Sequence, residues 1–425
     1  MIKSGRRGIC ALLLSAVLAS CASWPEDAEE KNMNITLTFP ENGAENVMTA
    51  NELVAVFTGE KYAFGTDDPY SAFAGLPSGG AQTKPVTFRW ENQEGTSADI
   101  LHLALNPGFD GEWTFPTAGN HLEIDSLMSG TTYFWKVTGA GGGTSDVFSF
   151  TTADVPRIVR IDGVSNCRDL GGWRTEGGDR VRQGMVYRTA TLDNITEEGV
   201  KFCREFLRIK TELDLRNEGE GTAGSTLLGE GVNYIRISPP YYVDDGHGLY
   251  DKGYTEGMRQ IFSVFADPDN YPILFHCSAG VDRTGTVAFL LSALCGMSRE
   301  DIFHEHDLSL IQFLPAGHKD TLTDHYSRLF NPMYQSLADR GGGTLKVNTE
   351  QYCRDIGVSD AEIQAIQRTL IAEMPGGEVE DPGSQSPGTS GKARINIPVV
   401  IAAAAGGIII ILCAGYFAFR KKKSE

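Results

Sequence analysis

A ten-residue stretch, His276-Cys277-Ser278-Ala279-Gly280-Val281-Asp282-Arg283-Thr284-Gly285, lies between two apolar runs and leaves this chain few choices of local structure. Tyr271 to Phe275 before it reads as a short buried strand, and Thr286 to Leu294 after it is apolar enough to be a core helix. The stretch is therefore a tight strand-to-helix turn, where free backbone N–H groups of the helix start converge and favour an anion. A cysteine placed there has its thiolate stabilised. Arg283, a planar fork of donors, matches two phosphoryl oxygens. The small residues between them let the backbone curl closely around a bound group. The combination fits phosphoryl transfer to sulfur, with Cys277, Arg283 and Thr284 as candidate catalytic residues. Ser278, Ala279, Gly280, Val281, Asp282 and Arg283 form the candidate substrate-binding loop.

The flanking sequence reads as α/β. Asp193 to Gly199 introduces a helix running through Phe202 and Phe206, and Leu213-Asp214-Leu215-Arg216 ends a buried strand, where ligand crevices form in open sheets. Ser298-Arg299-Glu300-Asp301 and Ser359-Asp360-Ala361-Glu362 have the form of helix caps, the second a capping box. Alternating strands and helices imply a central, mostly parallel sheet flanked by helices. Residues 33–154 read differently. Alternating apolar and polar residues with Gly, Asn and Pro at turns predict an all-β sandwich, with Val86 to Trp90 an early strand and Ser145 to Thr152 the closing one. Leu127 to Val137 resembles the tyrosine corner of fibronectin type III modules. The Gly/Ala/Ser-rich segment from Gly59 to Gly80 reads as an inserted loop.

The Cys-X5-Arg-Thr loop resembles the signature of protein tyrosine phosphatases. Further segments narrow the resemblance to the IphP-type bacterial tyrosine/serine phosphatases: Asn166-Cys167-Arg168-Asp169-Leu170-Gly171-Gly172, Val186-Tyr187-Arg188-Thr189-Ala190, Glu212 to Arg216, and Gly357-Val358-Ser359 before a helix. They keep family order over residues 156–374. The resemblance implies a phosphocysteine intermediate on Cys277, a loop-orienting His276, and phosphotyrosine or phosphoserine/threonine substrates. Many relatives carry lysine where this chain has Val281, which turns the expectation from phosphoinositides toward phosphoproteins or small phosphoesters.

Cleavage also needs a protonated group near the leaving oxygen. Asp214, which matches an acid proposed in relatives, ranks first. Asp282 in the loop ranks second, and Asp244-Asp245, upstream of Cys277, third. Arg168 and Asp169 read as braces of the site. His304-Glu305-His306, with His318 and His325, reads as polar packing, because His304 and His306 fall on different helix faces. The chemistry calls for no metal and no cofactor.

The two ends set the expected compartment. Lys3, Arg6 and Arg7 precede an apolar run, and Leu18-Ala19-Ser20-Cys21 resembles a lipobox, so residues 1–22 read as a signal peptide. Residues 375–394 read as a flexible Gly/Pro/Ser-rich linker and 395–419 as a transmembrane helix, since roughly 23 uncharged residues span a bilayer core. Residues 420–425 form a basic tail, expected to be cytoplasmic. The expectation is a single-pass protein of a bacterial cell membrane with its catalytic domain outside the cytoplasm. A net charge of −18 argues against nucleic acid as a partner. It leaves phosphorylated proteins or small phosphoesters, and a protein or glycan ligand for the sandwich. Eight cysteines in 425 residues do not read as a disulfide framework. Two other classes stay open. One is a catalytically silent receptor for phosphorylated ligands. The other is a thiol redox enzyme such as an arsenate reductase, with Cys167 as its resolving thiol.

Overall fold

The computed structural model describes residues 35–76, 80–93, 98–221, 224–239, 247–313, 330–340, 342–372, 401–404 and 407–410. It parts into two units, Met1–Pro375 and Gly376–Glu425. The expected signal and lipobox, the linker and the basic tail lie outside the described residues.

The first unit opens with two sheets. Strands β1 (Ile35–Phe39), β3 (Val86–Asn92) and β6 (His121–Ile124) form one, in the order β1-β3-β6. The other holds β2 (Ala44–Val47), β4 (Asp99–Ala104), β5 (Trp113–Thr117), β7 (Thr132–Thr138) and β8 (Phe148–Thr152), in the order β2-β8-β7-β4-β5. Strand side chains alternate between faces. Val86, Phe88 and Trp90 of β3 therefore meet Tyr133, Trp135 and Val137 of β7 in one core. The buried Trp90 indole donates to Asp99 at 2.7 Å, and the Tyr133 hydroxyl accepts the Met128 amide at 2.8 Å, bracing the turn into β7. The two-sheet architecture matches the sequence pattern, whereas the fibronectin type III likeness rests on the sequence resemblance.

The segment expected to be an inserted loop is instead built into the molecule. Asn51 caps α1 (Glu52–Gly59) by accepting the Val54 amide. After it, Tyr62, Tyr70 and Phe73 are buried, Phe73 within a 3-10 turn over Ser71–Gly75. These aromatics, with Phe57, pack on α5 (Arg299–Phe313). Phe57 and Tyr62 lie 5.2 and 5.0 Å from the His304 ring, and the hydroxyls of Tyr62 and Tyr70 both donate to Asp307 at 2.8 and 2.6 Å. Small residues suggested a surface loop, but four large rings spaced along the segment carry enough apolar area to dock it. Leu53, Phe57 and Phe73 share a core with the α/β part.

That part is a five-stranded sheet of β9 (Arg168–Asp169), β11 (Val186–Thr189), β12 (Thr211–Asp214), β13 (Asn233–Arg236) and β14 (Ile273–His276), in the order β13-β12-β14-β11-β9. Its pairs are parallel except β9 with β11. A two-stranded pair of β10 (Arg180–Val181) and β15 (Ile371–Ala372) lies apart from it. Alternation sends Leu213, Ile273 and Phe275 to one face. That face holds α3 (Lys252–Ala266), α4 (Arg283–Cys295), α5, α6 (Asn331–Ala338), α7 (Leu345–Asp355) and α8 (Asp360–Leu370). Tyr187 and Leu274 face Cys203 and Leu207, carried by α2 (Glu197–Lys201) and the π turn that extends it through Phe206. Every residue of α4 is buried, as expected of a helix apolar all round, and Gly296 ends it in the left-handed conformation. The Ser359–Glu362 capping box opens α8.

In the second unit, β16 (Ile401–Ala404) and β17 (Gly407–Ile410) pair antiparallel. The helix expected over 395–419 is absent from these residues, and no helix among the described residues is long and apolar enough to cross a membrane. The run is rich in β-branched isoleucine, which favours extended backbone as well as apolar surroundings.

Candidate active site

Strand register assembles the site. Asp214 of β12 and Thr189 of β11 both lie opposite His276 of β14, so three parallel strands end side by side. The chain leaves the sheet at His276 and enters α4 at Arg283. Gly280 turns it back at a φ of +71°, and a Cβ there would stand 2.4 Å from the Thr189 carbonyl, so only glycine fits. The Gly280 amide thereby donates to Cys277 Sγ at 3.2 Å, and the thiol is buried. Ser278 and Ala279 form the exposed lip of the loop, while Val281 packs into the core.

A buried layer of charge holds this loop from behind. Asn166 donates to the Ala279 and Gly280 carbonyls, each at 3.1 Å, and Arg188 donates to Gly280 O at 2.7 Å. Glu305 of α5 pairs with Arg188 at 2.6 Å and Arg168 at 2.8 Å. Arg168 in turn donates to Asn166 Oδ1 and Ser309 Oγ. Burial and the charge of Arg188 push Arg168 down to about 10, so the pair of cations depends on Glu305. Asp169 braces a neighbouring turn, accepting from Arg157 at 2.8 Å and from the Gly171 and Gly184 amides. His276 lies 3.2 Å from both Glu212 and the Cys277 carbonyl.

Arg283 is 7% exposed. Its Nη1 donates to Leu215 O at 3.1 Å, and both Nη atoms reach Glu220. Its Nε and the Thr284 hydroxyl are buried with no hydrogen-bond partner among the described residues. Two donors at the end of the loop that carries the thiol are thus left for a group that the protein does not supply.

Asp214, ranked first as proton donor, has the surroundings of a brace. It is fully buried and accepts from Arg216 Nε at 2.9 Å, Arg216 Nη2 at 2.8 Å, Arg236 at 2.8 Å and the Tyr234 hydroxyl at 2.9 Å. Burial alone would raise this carboxyl, but the Arg216 bonds, with His276 and Arg236, hold it well below the usual range. A carboxylate so held does not carry a proton at neutral pH. Asp282 is half-buried where the loop meets α4, and its side chain does not cap the helix. Asp244-Asp245 lie outside the described residues.

Cys167 belongs to the other face of the sheet with Cys203, and burial drives its thiol far up. Its Sγ contacts the Val164 and Ser165 carbonyls at 3.5 and 3.4 Å. His304 lies 3.1 Å from the Glu60 carbonyl, and His306 stacks on Phe330. His318 and His325 lie outside the described residues. Asn166, Arg188, Glu212, Glu220, Glu305 and Ser309 were not assigned roles from sequence. Asn166, Arg188 and Glu212 all lie in segments that carry the family resemblance, and Glu212 adds the signal of a charge inside a buried strand. Glu305 was read only as polar packing with its histidine neighbours, and Ser309, four residues on along the helix, drew no reading.

Residues 159–372, half of the chain, match the model of the tyrosine phosphatase family. A Cupriavidus necator protein provisionally named a tyrosine-protein phosphatase is 30% identical over 166 residues, 34% of this chain and 60% of that one. A Nostoc commune tyrosine-protein phosphatase is 27% identical over 217 residues, 43% of this chain and 73% of that one. Among solved structures, the core catalytic domain of an S. cerevisiae PP-IP phosphatase with citrate is 20% identical, covering 39% of this chain and 86% of that chain at a TM-score of 0.25. The P. aeruginosa TpbA structure in complex with phosphotyrosine is 16% identical, with the same coverages and TM-score. The loop around Cys277 and Arg283 and the braces Asn166, Arg168 and Arg188 all fall inside the matched residues, and the chain belongs to the tyrosine phosphatase family.

Proposed function

We propose that the chain is a cysteine-dependent protein phosphatase that hydrolyses phosphotyrosine esters, with phosphoserine and phosphothreonine as the wider class. One observation carries this reading: a buried Cys277 sulfur under the Gly280 amide, on a loop that ends in two buried donors without partners among the described residues, Arg283 Nε and Thr284 Oγ1. In the first step Cys277 attacks phosphorus, an S–P bond forms and the P–O bond to the leaving group breaks. Arg283 and the loop amides hold the equatorial oxygens as charge builds. Asp282 delivers the proton to the leaving oxygen in place of Asp214, whose carboxylate accepts from five donors. Water, deprotonated by Asp282, then cleaves the S–P bond, and Thr284 donates to the departing thiolate. The redox rival needs a thiol facing Cys277, and Cys167 faces the opposite core.

Placement at the cell envelope rests on composition alone: the charged and apolar start of the chain, and the uncharged run before Arg420 to Lys423. Fractionation of cells expressing the full chain tests it. A protein or glycan ligand of the sandwich would find an aromatic wall in the cleft of about 930 Å³ lined by Trp113, Phe115, Phe202 and Phe206.

The test of the reaction is hydrolysis of aryl phosphates, with reductant and chelator present, by the parent and its Cys277→Ser variant. Turnover surviving that change refutes the reading. A leaving-group series separates the acids. Asp282→Asn is expected to lose most activity on phenyl phosphate and little on p-nitrophenyl phosphate, whose leaving group needs no proton. The same pattern from Asp214→Asn instead would return the role to Asp214.

A further inference from the structure

Beyond β12 the chain turns over Asn217 to Gly221, with the Glu220 amide donating to the Asn217 carbonyl. The turn brings Glu220 onto the phosphate loop. One carboxylate oxygen, Oε2, accepts from Arg283 Nη2 at 2.7 Å and Ser278 Oγ at 3.2 Å. The other, Oε1, accepts from Arg283 Nη1 at 3.3 Å and Asn217 Nδ2 at 2.5 Å. An anion thus already engages the arginine fork and the first side chain of the loop, the donors a phosphoryl group would use.

Glu220 differs from the braces of the site. The carboxylates that hold the structure, Asp214 and Glu305, have side chains 0% and 3% exposed, whereas that of Glu220 is 35% exposed. Arg283 also keeps an anchor that does not involve Glu220, the Leu215 carbonyl. If the carboxylate leaves, the guanidinium stays in place, with Nε and Nη2 ready to bind in the same plane.

We propose that Glu220 is an internal stand-in for the substrate phosphoryl group, seated in the anion subsite of the empty protein and displaced by a phosphorylated substrate, so that it sets KM. The inference rests on the phosphatase reading. The Arg283 hydrogen bonds hold the Glu220 carboxyl down to about 2, so the competition persists across the neutral range.

The test is calorimetric binding of inorganic phosphate to Cys277→Ser and to Cys277→Ser/Glu220→Gln, full chains both. Removing a half-exposed ion-pair charge is expected to tighten phosphate binding about three- to fivefold. In the active background, Glu220→Gln is expected to lower KM for an aryl phosphate by the same factor, with kcat within about twofold of the parent. Phosphate binding that is unchanged, weaker or absent in the Glu220→Gln protein overturns the inference, as does a fall in kcat with KM unchanged, which would make Glu220 a brace of Arg283. Cys277-dependent turnover by the parent answers separately whether the phosphatase reading holds.

Discussion

Phe57→Ala is the sharpest trial of the finding that the segment between β2 and β3 belongs to the core of the α/β part. Phe57 is fully buried, 5.2 Å from the rings of Phe73 and His304. A phenylalanine removes ~150–250 Å² from water, and at ~25 cal/mol per Å² its burial contributes about 4–6 kcal/mol as an upper bound. Truncation to alanine typically costs about 3–5 kcal/mol once the cavity is included. With about 4 kcal/mol lost, the urea midpoint should fall by roughly 1–2 M. The assay follows two signals through the titration, far-UV circular dichroism and residual aryl phosphatase activity. Phe88→Ala, which empties a fully buried site in the sandwich core, serves as the comparison. Because Phe57 and α4 share one cluster, activity is expected to disappear at the lowered midpoint in Phe57→Ala. If activity persists to the parental urea concentration while a separate transition moves, the segment is an appendage and the reasoning fails.

Glu305→Ala leaves Arg168 and Arg188 buried and unpaired, which costs about 3–5 kcal/mol; activity should fall with stability, and a folded variant with parental kcat would contradict the loop-bracing role. Burial lowers His304 to about 4, so the folded protein resists its protonation. Stability is therefore complete above the unfolded value of about 6.5 and declines by up to about 3 kcal/mol as pH falls from there through about 4. His304→Gln should flatten that part of a urea-midpoint profile, and an unchanged slope would refute the assignment. Asp214 acts lower on the scale: its depressed carboxyl adds stability above about pH 4 that is lost on further acidification, and Asp214→Asn should remove that loss. Burial pushes Cys203, Cys295 and Cys353 up to about 12 and Cys167 higher still. Among the five described cysteines, iodoacetamide at pH 7 should modify Cys277 first, and earlier modification of Cys167 in a peptide map would contradict the structure.

The phosphate loop was legible because its information is local. Cys277, Gly280 and Arg283 act within a few residues of one another, and the apolar runs on either side declare strand and helix. The parallel sheet followed from the same alternation. Of the braces, Arg168 and Asp169 were legible, but Asn166, Arg188 and Glu305 were not, since they meet only after the strands register and α5 folds over them. A buried Glu305 looks in sequence like any charged helix residue. Asp214 misled for a related reason. Its place at a strand end suggests chemistry, but Arg216, two residues further along, folds back to pair with it, and Arg236 reaches it from the neighbouring strand β13. Composition misread the Gly59 to Gly80 segment, where a few rings outweigh many small residues.

Helix α5 presents different residues to two different neighbours. Glu300, His304 and Asp307 meet the N-terminal segment, while Glu305 and Ser309 reach the arginines beneath the phosphate loop. It is a party wall, and thermodynamic reciprocity applies across it. An anion that steadies Gly280, and through Arg188 steadies Glu305, must lend the same free energy to the docking of α1 that this docking lends to anion binding. Amide exchange at Val54 to Phe57 should then slow when phosphate is added, at a distance from any atom the phosphate touches.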